Sequence, residues 1–212
     1  MKKNDKFVIT IGRQFGSGGS ETGRIVAQKL GIKYYDKELL AAAAKSSGVN
    51  TEFFEASDER SPSFFASSNI WSFNIGYNLG NFFSTEVSFS DDNLYKAQSE
   101  TIQALANESP CVIVGRSADH VLRNHPCSIS VFISSSEKEC IKRIINRGDC
   151  NNEADAREMA EKKNKLRANY YNFYTDKEWG NATSYDLCID SSKLSIEQVA
   201  DIIVEYVKKR IS

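Results

Sequence analysis

The chain has 212 residues, 41% of them hydrophobic, with 27 Lys plus Arg against 28 Asp plus Glu. That length and apolar fraction can bury a full core and suggest one domain carrying an inserted subregion rather than two independent units. The near balance of charge excludes a general basic field for non-specific nucleic-acid binding, so an anion site has to be local and no nucleic-acid partner is expected.

The charged start, Met1 to Lys6, leads into only five residues that read as a strand, Phe7–Ile11. This is too short for a signal peptide or a membrane span, and the expectation is a protein of the reducing cytoplasm without a membrane partner. Four closely spaced glycines, Gly12, Gly16, Gly18 and Gly19, follow the strand, and a helical pattern over Ser20–Leu30 ends at Gly31. Strand, glycine-rich turn and helix start are the parts of a phosphate cradle. Glycines let successive backbone N–H groups turn toward one anion, and the helix start adds unpaired donors and the positive end of its dipole. The usual G-x-x-x-x-G-K-[ST] pattern places lysine where this chain has Gly19. Without a ligand the same stretch reads as a strand followed by a flexible loop.

Further strands are expected at Lys33–Tyr35, Cys111–Val114, Ser128–Ile133 and Asp186–Ile189. Helices are expected at Lys37–Lys45, Leu94–Asn107, Ser136–Arg147, Glu153–Tyr171 and Ser195–Lys209. Short apolar runs separated by helices imply an α/β fold with about five parallel strands and helices on both faces, whose ligands sit at the carboxyl ends of the strands. Gly12–Gly19, Asp36, Gly115-Arg116 and Asp190-Ser191-Ser192 all fall there.

The interval 48–91 breaks the rhythm with Phe53, Phe54, Phe64, Phe65, Trp71, Phe73, Tyr77, Phe82, Phe83 and Phe89 among serines and asparagines. It reads as helices packed over the sheet or against a second copy in a homodimer, or else as a cap that selects a phosphate acceptor by stacking. The region 150–180 reads as a helical lid. With Arg143 and Arg147 four residues apart on the preceding helix, it supplies several cations near the mouth of the expected site. Phosphoryl transfer needs cations that converge on the transferred group. A solvated basic helix paired with Glu158 and Glu161 is the plainer alternative.

Cys111, Cys127, Cys140, Cys150 and Cys188 are odd in number and lack C-x-x-C spacing, which suggests neither a disulfide framework nor a zinc site. His120 and His125 have no serine or cysteine partner at an interpretable spacing, so a nucleophilic triad is not expected.

Four stretches together resemble the cytidylate-kinase-like family of the nucleoside monophosphate kinase group. They are I-T-I-G-R-Q-F-G-S-G-G-S-E-T-G (Ile9–Gly23), G-I-K-Y-Y-D-K-E-L-L (Gly31–Leu40), V-I-V-G-R-S-A (Val112–Ala118), and R-A-N-Y-Y-N-F-Y-T-D-K-E-W-G (Arg167–Gly180) with Y-D-L-C-I-D-S-S-K-L (Tyr185–Leu194). The resemblance implies a three-layer phosphate-loop kinase fold with a helical lid, and ATP- and Mg²⁺-dependent phosphoryl transfer to a small acceptor such as CMP. It also implies that Gly16, Ser17, Gly18, Gly19 and Ser20 cradle the donor phosphates, with Ser191 and Ser192 near the donor base and Ser17 or Ser20 near Mg²⁺. Arg13 stands where these loops have their first glycine, Gly19 where they have lysine, and Glu21 where they have the metal-binding Thr. Arg13 is the candidate substitute for the missing charge. Arg116 resembles the arginine that grips the acceptor phosphate, and Asp36 the acidic residue that orients the acceptor or a metal-bound water, although helix capping is an equal role for it. Lys165 and Arg167 resemble lid cations that act with Arg143 and Arg147, and Asn164 stands where the branch more often has aspartate. The competing expectation is a non-catalytic nucleotide-binding or regulatory protein on the same fold. Lysine restored at Gly19 is the obvious discriminating variant.

Overall fold

The computed structural model describes residues 6–36 and 91–211, so the helix expected at Lys37–Lys45 and most of the aromatic interval 48–91 lie outside the described residues. In chain order the elements are β1 (Val8–Arg13), α1 (Gly19–Leu30), β2 (Lys33–Tyr35), α2 (Asp91–Glu108), β3 (Cys111–Val114), α3 (Ala118–Val121), β4 (Ser128–Ser134), α4 (Glu137–Asn146), α5 (Glu153–Tyr174), β5 (Leu187–Asp190) and α6 (Ile196–Ile211). The strands form one parallel sheet in the order β2-β3-β1-β4-β5. β1 is therefore central, and the chain leaves it toward β2 and β3 on one side and toward β4 and β5 on the other. Their carboxyl ends part beside β1, which is where ligands bind in open sheets of this kind.

Alternation along β1 sends Phe7, Ile9 and Ile11 to one face, where they pack with Val26 and Ala27 of α1 and Val199, Ile203 and Val207 of α6. Val8 points to the other face, into a cluster with Ile102 and Ala106 of α2 and Val121 and Leu122. The sheet is thus buried on both sides, which is why its strands read as nearly unbroken apolar runs. A third cluster joins Ile141 and Ile144 of α4 to Ala156 and Ala160 of α5, with Phe15 from the glycine-rich loop packed against it.

Element ends follow local chemistry. Ser136 caps α4 by accepting from the Glu139 N–H, and Asn152 caps α5 by accepting from the Asp155 N–H. Gly31 closes α1 in the left-handed region, at φ 65°. β1 extends two residues past the expected Ile11, because Gly12 and Arg13 pair with Phe132 and Ile133. The short helix α3 and a 3₁₀ turn at Ala182–Ser184 have no apolar period long enough to be read from sequence. No described helix is long and apolar enough to cross a membrane.

Candidate active site

The glycine-rich loop runs from the end of β1 to the start of α1 and is fastened from behind. Its Gln14 N–H donates to the Ile133 carbonyl at 3.0 Å, and the Gln14 side-chain oxygen accepts from the Ser135 N–H at 3.0 Å. Ser17 Oγ donates to the Gln14 carbonyl at 2.9 Å, and Ser191 Oγ lies 2.9 Å from the Ser17 carbonyl and 3.0 Å from that of Ser134. Arg143 completes the fastening. Its Nη1 reaches Ser135 Oγ at 3.0 Å, Ser191 Oγ at 3.3 Å and the Gly16 carbonyl at 3.4 Å, while Nη2 donates to the Ser191 carbonyl at 3.0 Å. The first bond of α1 is Thr22 N–H to the Gly18 carbonyl, so the earlier N–H groups of this helix start have no helix carbonyl to satisfy them.

Gly16 and Gly18 hold φ near +81° and +82°. A Cβ on Gly16 would lie 2.7 Å from the Cys140 carbonyl oxygen, and one on Gly18 would lie 2.2 Å from Ile196 Cδ1. The loop therefore needs glycine at both points, for its conformation and for its seat on α4 and α6. In front of it is a small concavity lined by the loop from Arg13 to Glu21, Ser17 excepted, and by Arg147 and Arg167. Backbone donors, a helix start and two flanking arginines suit an anion. Glu21, where the resembled loops have their metal-binding Thr, and Ser20, at the hydroxyl position of the general G-x-x-x-x-G-K-[ST] pattern, both line this concavity, and Mg²⁺ bound through phosphates and water needs few protein ligands. The chemistry of the residues present therefore fits Mg²⁺ with Ser20 as the protein ligand.

α5 is fixed across the loop's outer edge. Asn164 Oδ1 accepts from the Phe15 N–H at 2.7 Å, and Arg167 Nη1 donates to the Arg13 carbonyl at 3.2 Å. Arg147, Lys163 and Arg167 surround the Phe15 ring at 5.1, 5.3 and 5.5 Å from its centroid. The negative face of an aromatic ring thus gathers three cations at the edge of the loop concavity.

A second cavity, of about 40 Å³, lies at the carboxyl ends of β1 and β3. Its wall includes Gly115, Arg116 and Ser117, three consecutive residues with positive φ (83°, 61° and 49°). Such a conformation is unfavourable for the two that carry side chains, and backbone strain of this kind collects at functional sites. Arg116 is 7% exposed, and the hydroxyl of Ser117 is a buried oxygen with no hydrogen-bond partner among the described residues. On the opposite wall, Tyr171 of α5 donates its phenol proton to Asp119 Oδ2 at 2.7 Å. Burial pushes the Asp119 carboxyl above its ordinary pKa, with the Tyr171 hydrogen bond pulling the other way. Burial also raises the phenols of Tyr171, where Asp119 adds to the effect, and of Tyr185. Trp179 and Tyr185 finish the wall and pack on Phe132, Trp179 edge-on at 5.2 Å.

The structure thus brings Arg13, Arg116, Arg147 and Arg167 to the two cavities. It sets Arg143, Ser17 and Ser191 behind the loop as supports, Ser191 being fully buried. Ser192 Oγ accepts from the Ser136 N–H at 2.7 Å and donates to Asp190, which ties β5 to the start of α4. Lys165 is exposed on α5 and lines neither cavity. Asp36 faces Arg24 at 3.6 Å and adjoins Tyr34, whose phenol is pushed up to about 12, chiefly by burial and next by Asp36. Sequence reasoning missed Phe15, Asp119 and Tyr171, and read Asn164 only as a replaced carboxylate. The available signal was Asn164, Tyr170 and Tyr171 at helical spacing on the segment that carries Arg167.

Comparison with known proteins agrees with this fold. A model described as "Cytidylate kinase-like family" matches residues 8–193. A cytidylate kinase of Pyrococcus horikoshii is 25% identical over 200 residues, 94% of this chain and 87% of that protein. Among solved structures, an uncharacterized protein from Eubacterium ventriosum is 29% identical, with a TM-score of 0.70 over 95% of this chain and 98% of that one. A gluconokinase from Sinorhizobium meliloti, 12% identical, shares the fold with a TM-score of 0.53 over 96% of this chain and 93% of its own.

Proposed function

The chain belongs to the cytidylate kinase-like family, and on that premise we propose that it transfers a phosphoryl group from ATP to a small acceptor, with a nucleoside monophosphate such as CMP the first candidate. Family membership supports nucleotide-dependent phosphotransfer. The observation that carries the reading further is that the loop concavity and the second cavity have only two lining residues in common among the described ones, and both are arginines, Arg13 and Arg167.

A donor chain on the loop and an acceptor in the second cavity would meet at that shared wall. Charge on the transferring group spreads over its equatorial oxygens, so preorganised cations at the meeting point lower the barrier. In this reading the N–H groups from Gly16 to Ser20 hold the donor phosphates and Arg116 grips the acceptor's phosphate. Arg147 closes the outer side, while Asp36, which lines neither cavity, has no part in holding the acceptor. Arg143, Ser17 and Ser191 act by holding the loop in shape. Mg²⁺, held by Ser20 and the phosphates, supplies charge neutralisation when bound. No nucleophilic side chain is required, because positioning and electrostatics supply most of the rate in this chemistry.

Gly19 in place of lysine favours a second reading, a nucleotide-binding regulatory protein without turnover. ADP release from Mg·ATP across a panel of nucleoside monophosphates, nucleosides and other small acceptors separates the two, with Arg116→Ala as control and ATP binding followed by calorimetry. Acceptor-dependent release that Arg116→Ala abolishes supports the kinase and names its substrate. Binding without turnover supports the regulatory reading, and no binding refutes both.

A further inference from the structure

The absent lysine has a steric cause. A Cβ on Gly19 would stand 2.5 Å from Arg13 Cβ and 2.9 Å from Arg13 Cγ. Real Cβ atoms do not approach that closely, and a Cβ is placed by the backbone, so no rotamer of Arg13 relieves the contact. Positions 13 and 19 therefore cannot both carry side chains in this loop. The usual pattern satisfies the same exclusion the other way round, with glycine at the first position and lysine at the last but one.

Beyond its Cγ, Arg13 runs toward the β3 turn. A Cβ on Gly115 would lie 2.1 Å from Arg13 Nη1, so the guanidinium rests in space that only glycine at 115 leaves open. From there the side chain faces both cavities.

We propose that Arg13 and Gly19 are one reciprocal exchange: the phosphate-binding cation has moved from the helix start at 19 to the strand end at 13. It reaches the terminal phosphate of a nucleoside triphosphate from the β1–β3 side. The inference rests on the phosphoryl-transfer reading for its ligand but not for its geometry. Lysine placed at Gly19 alone does not repair the loop, because it collides with Arg13. Arginine's planar fork suits the exchange, since it spans two oxygens of one phosphate or of neighbouring ones.

Six variants test this: Gly19→Ala, Gly19→Lys, Arg13→Gly, Arg13→Ala, and Gly19→Lys combined with each Arg13 change. Urea denaturation without ligand reads the exclusion, and calorimetry with Mg·ATP and with inorganic tripolyphosphate reads the charge. The expected pattern is destabilisation by Gly19→Ala beside Arg13 and by Gly19→Lys when residue 13 is Arg or Ala, and little by Gly19→Lys when it is Gly. Affinity for both phosphate ligands falls about tenfold or more in Arg13→Ala and Arg13→Gly. Arg13→Gly with Gly19→Lys returns to within about threefold of the parent, while Arg13→Ala with Gly19→Lys does not.

Three results overturn the proposal: Gly19→Lys alone leaving stability and affinity unchanged, Arg13→Ala binding as tightly as the parent, or both double variants recovering equally. Should the parent bind neither phosphate ligand, the functional reading fails and the transferred-charge half of the proposal fails with it. The ligand-free stability cycle then still decides whether 13 and 19 exclude each other.

Discussion

Tyr171→Phe removes a buried hydroxyl that joins α5 to the core. Tyr171 is 4% exposed, and its hydroxyl donates to Asp119 at 2.7 Å. Phenylalanine keeps the ring and its near-parallel packing on Tyr185, 6.1 Å between centroids. What disappears is a hydrogen bond to a carboxylate, about 1.5–3 kcal/mol when the acceptor is charged and about 0.5–1.5 kcal/mol when it is neutral. For a chain of this size each kcal/mol corresponds to roughly 2–4 °C in Tm.

The loss should depend on pH with a definite sign. Burial raises Asp119 above its unfolded value of about 3.9, so the native state holds that proton more tightly. Stability from this group is fully present below the unfolded value and is lost as pH rises through the raised folded value. The Tyr171 bond counteracts the rise, and removing it deepens the loss. The stability difference between parent and variant therefore grows from acid to neutral solution. Urea denaturation at about pH 4.5 and about pH 7.5 measures it. An equal difference at both pH values, or a larger one in acid, would refute the assignment of the Tyr171–Asp119 bond as a charged one.

Arg143→Met removes the staple behind the loop and is expected to cost about 1.5–3 kcal/mol in urea denaturation while weakening Mg·ATP in calorimetry; affinity unchanged at that cost would separate loop shape from binding. Asn164→Asp retains an acceptor for the Phe15 N–H and should leave stability within about 0.5 kcal/mol. Asn164→Leu leaves that donor without its partner and should cost about 1–3 kcal/mol, and similar losses from both would show that the bond does not matter. Gly31→Ala tests pure backbone cost, since a Cβ there meets nothing within 4 Å while φ stays at +65°. About 1–2 kcal/mol is expected, seen as a lower Tm, with Gly31→Asn less affected.

The strands and most helices were legible because each carries a strong local signature. Ile9 and Ile11 alternate with Val8 and Thr10, Cys111–Val114 is uniformly apolar, and α4 and α5 open on Ser136 and Asn152 as capping residues. The glycine spacing likewise located the loop and its concavity, because only backbone freedom at those positions allows the turn.

What each cation does was not legible. Arg143 and Arg147 lie four apart and share a helix face by sequence, yet they straddle the loop. Arg143 reaches behind it to Ser135 and Ser191, while Arg147 sits in front, paired with Asp149 at 2.7 Å and Glu21 at 3.4 Å. Helical spacing fixes which residues are neighbours on α4, and only the packing of α4 against the loop sets which side of the loop each long side chain reaches. Asn164 reads in isolation as a lost carboxylate and becomes a loop partner once α5 crosses Phe15. The exchange of Arg13 with Gly19 is written in the sequence as two separate departures from a pattern. That they are one departure depends on the 2.5 Å that would separate a Cβ on Gly19 from Arg13 Cβ six residues away, a closeness that the turn of the loop creates and no linear spacing contains.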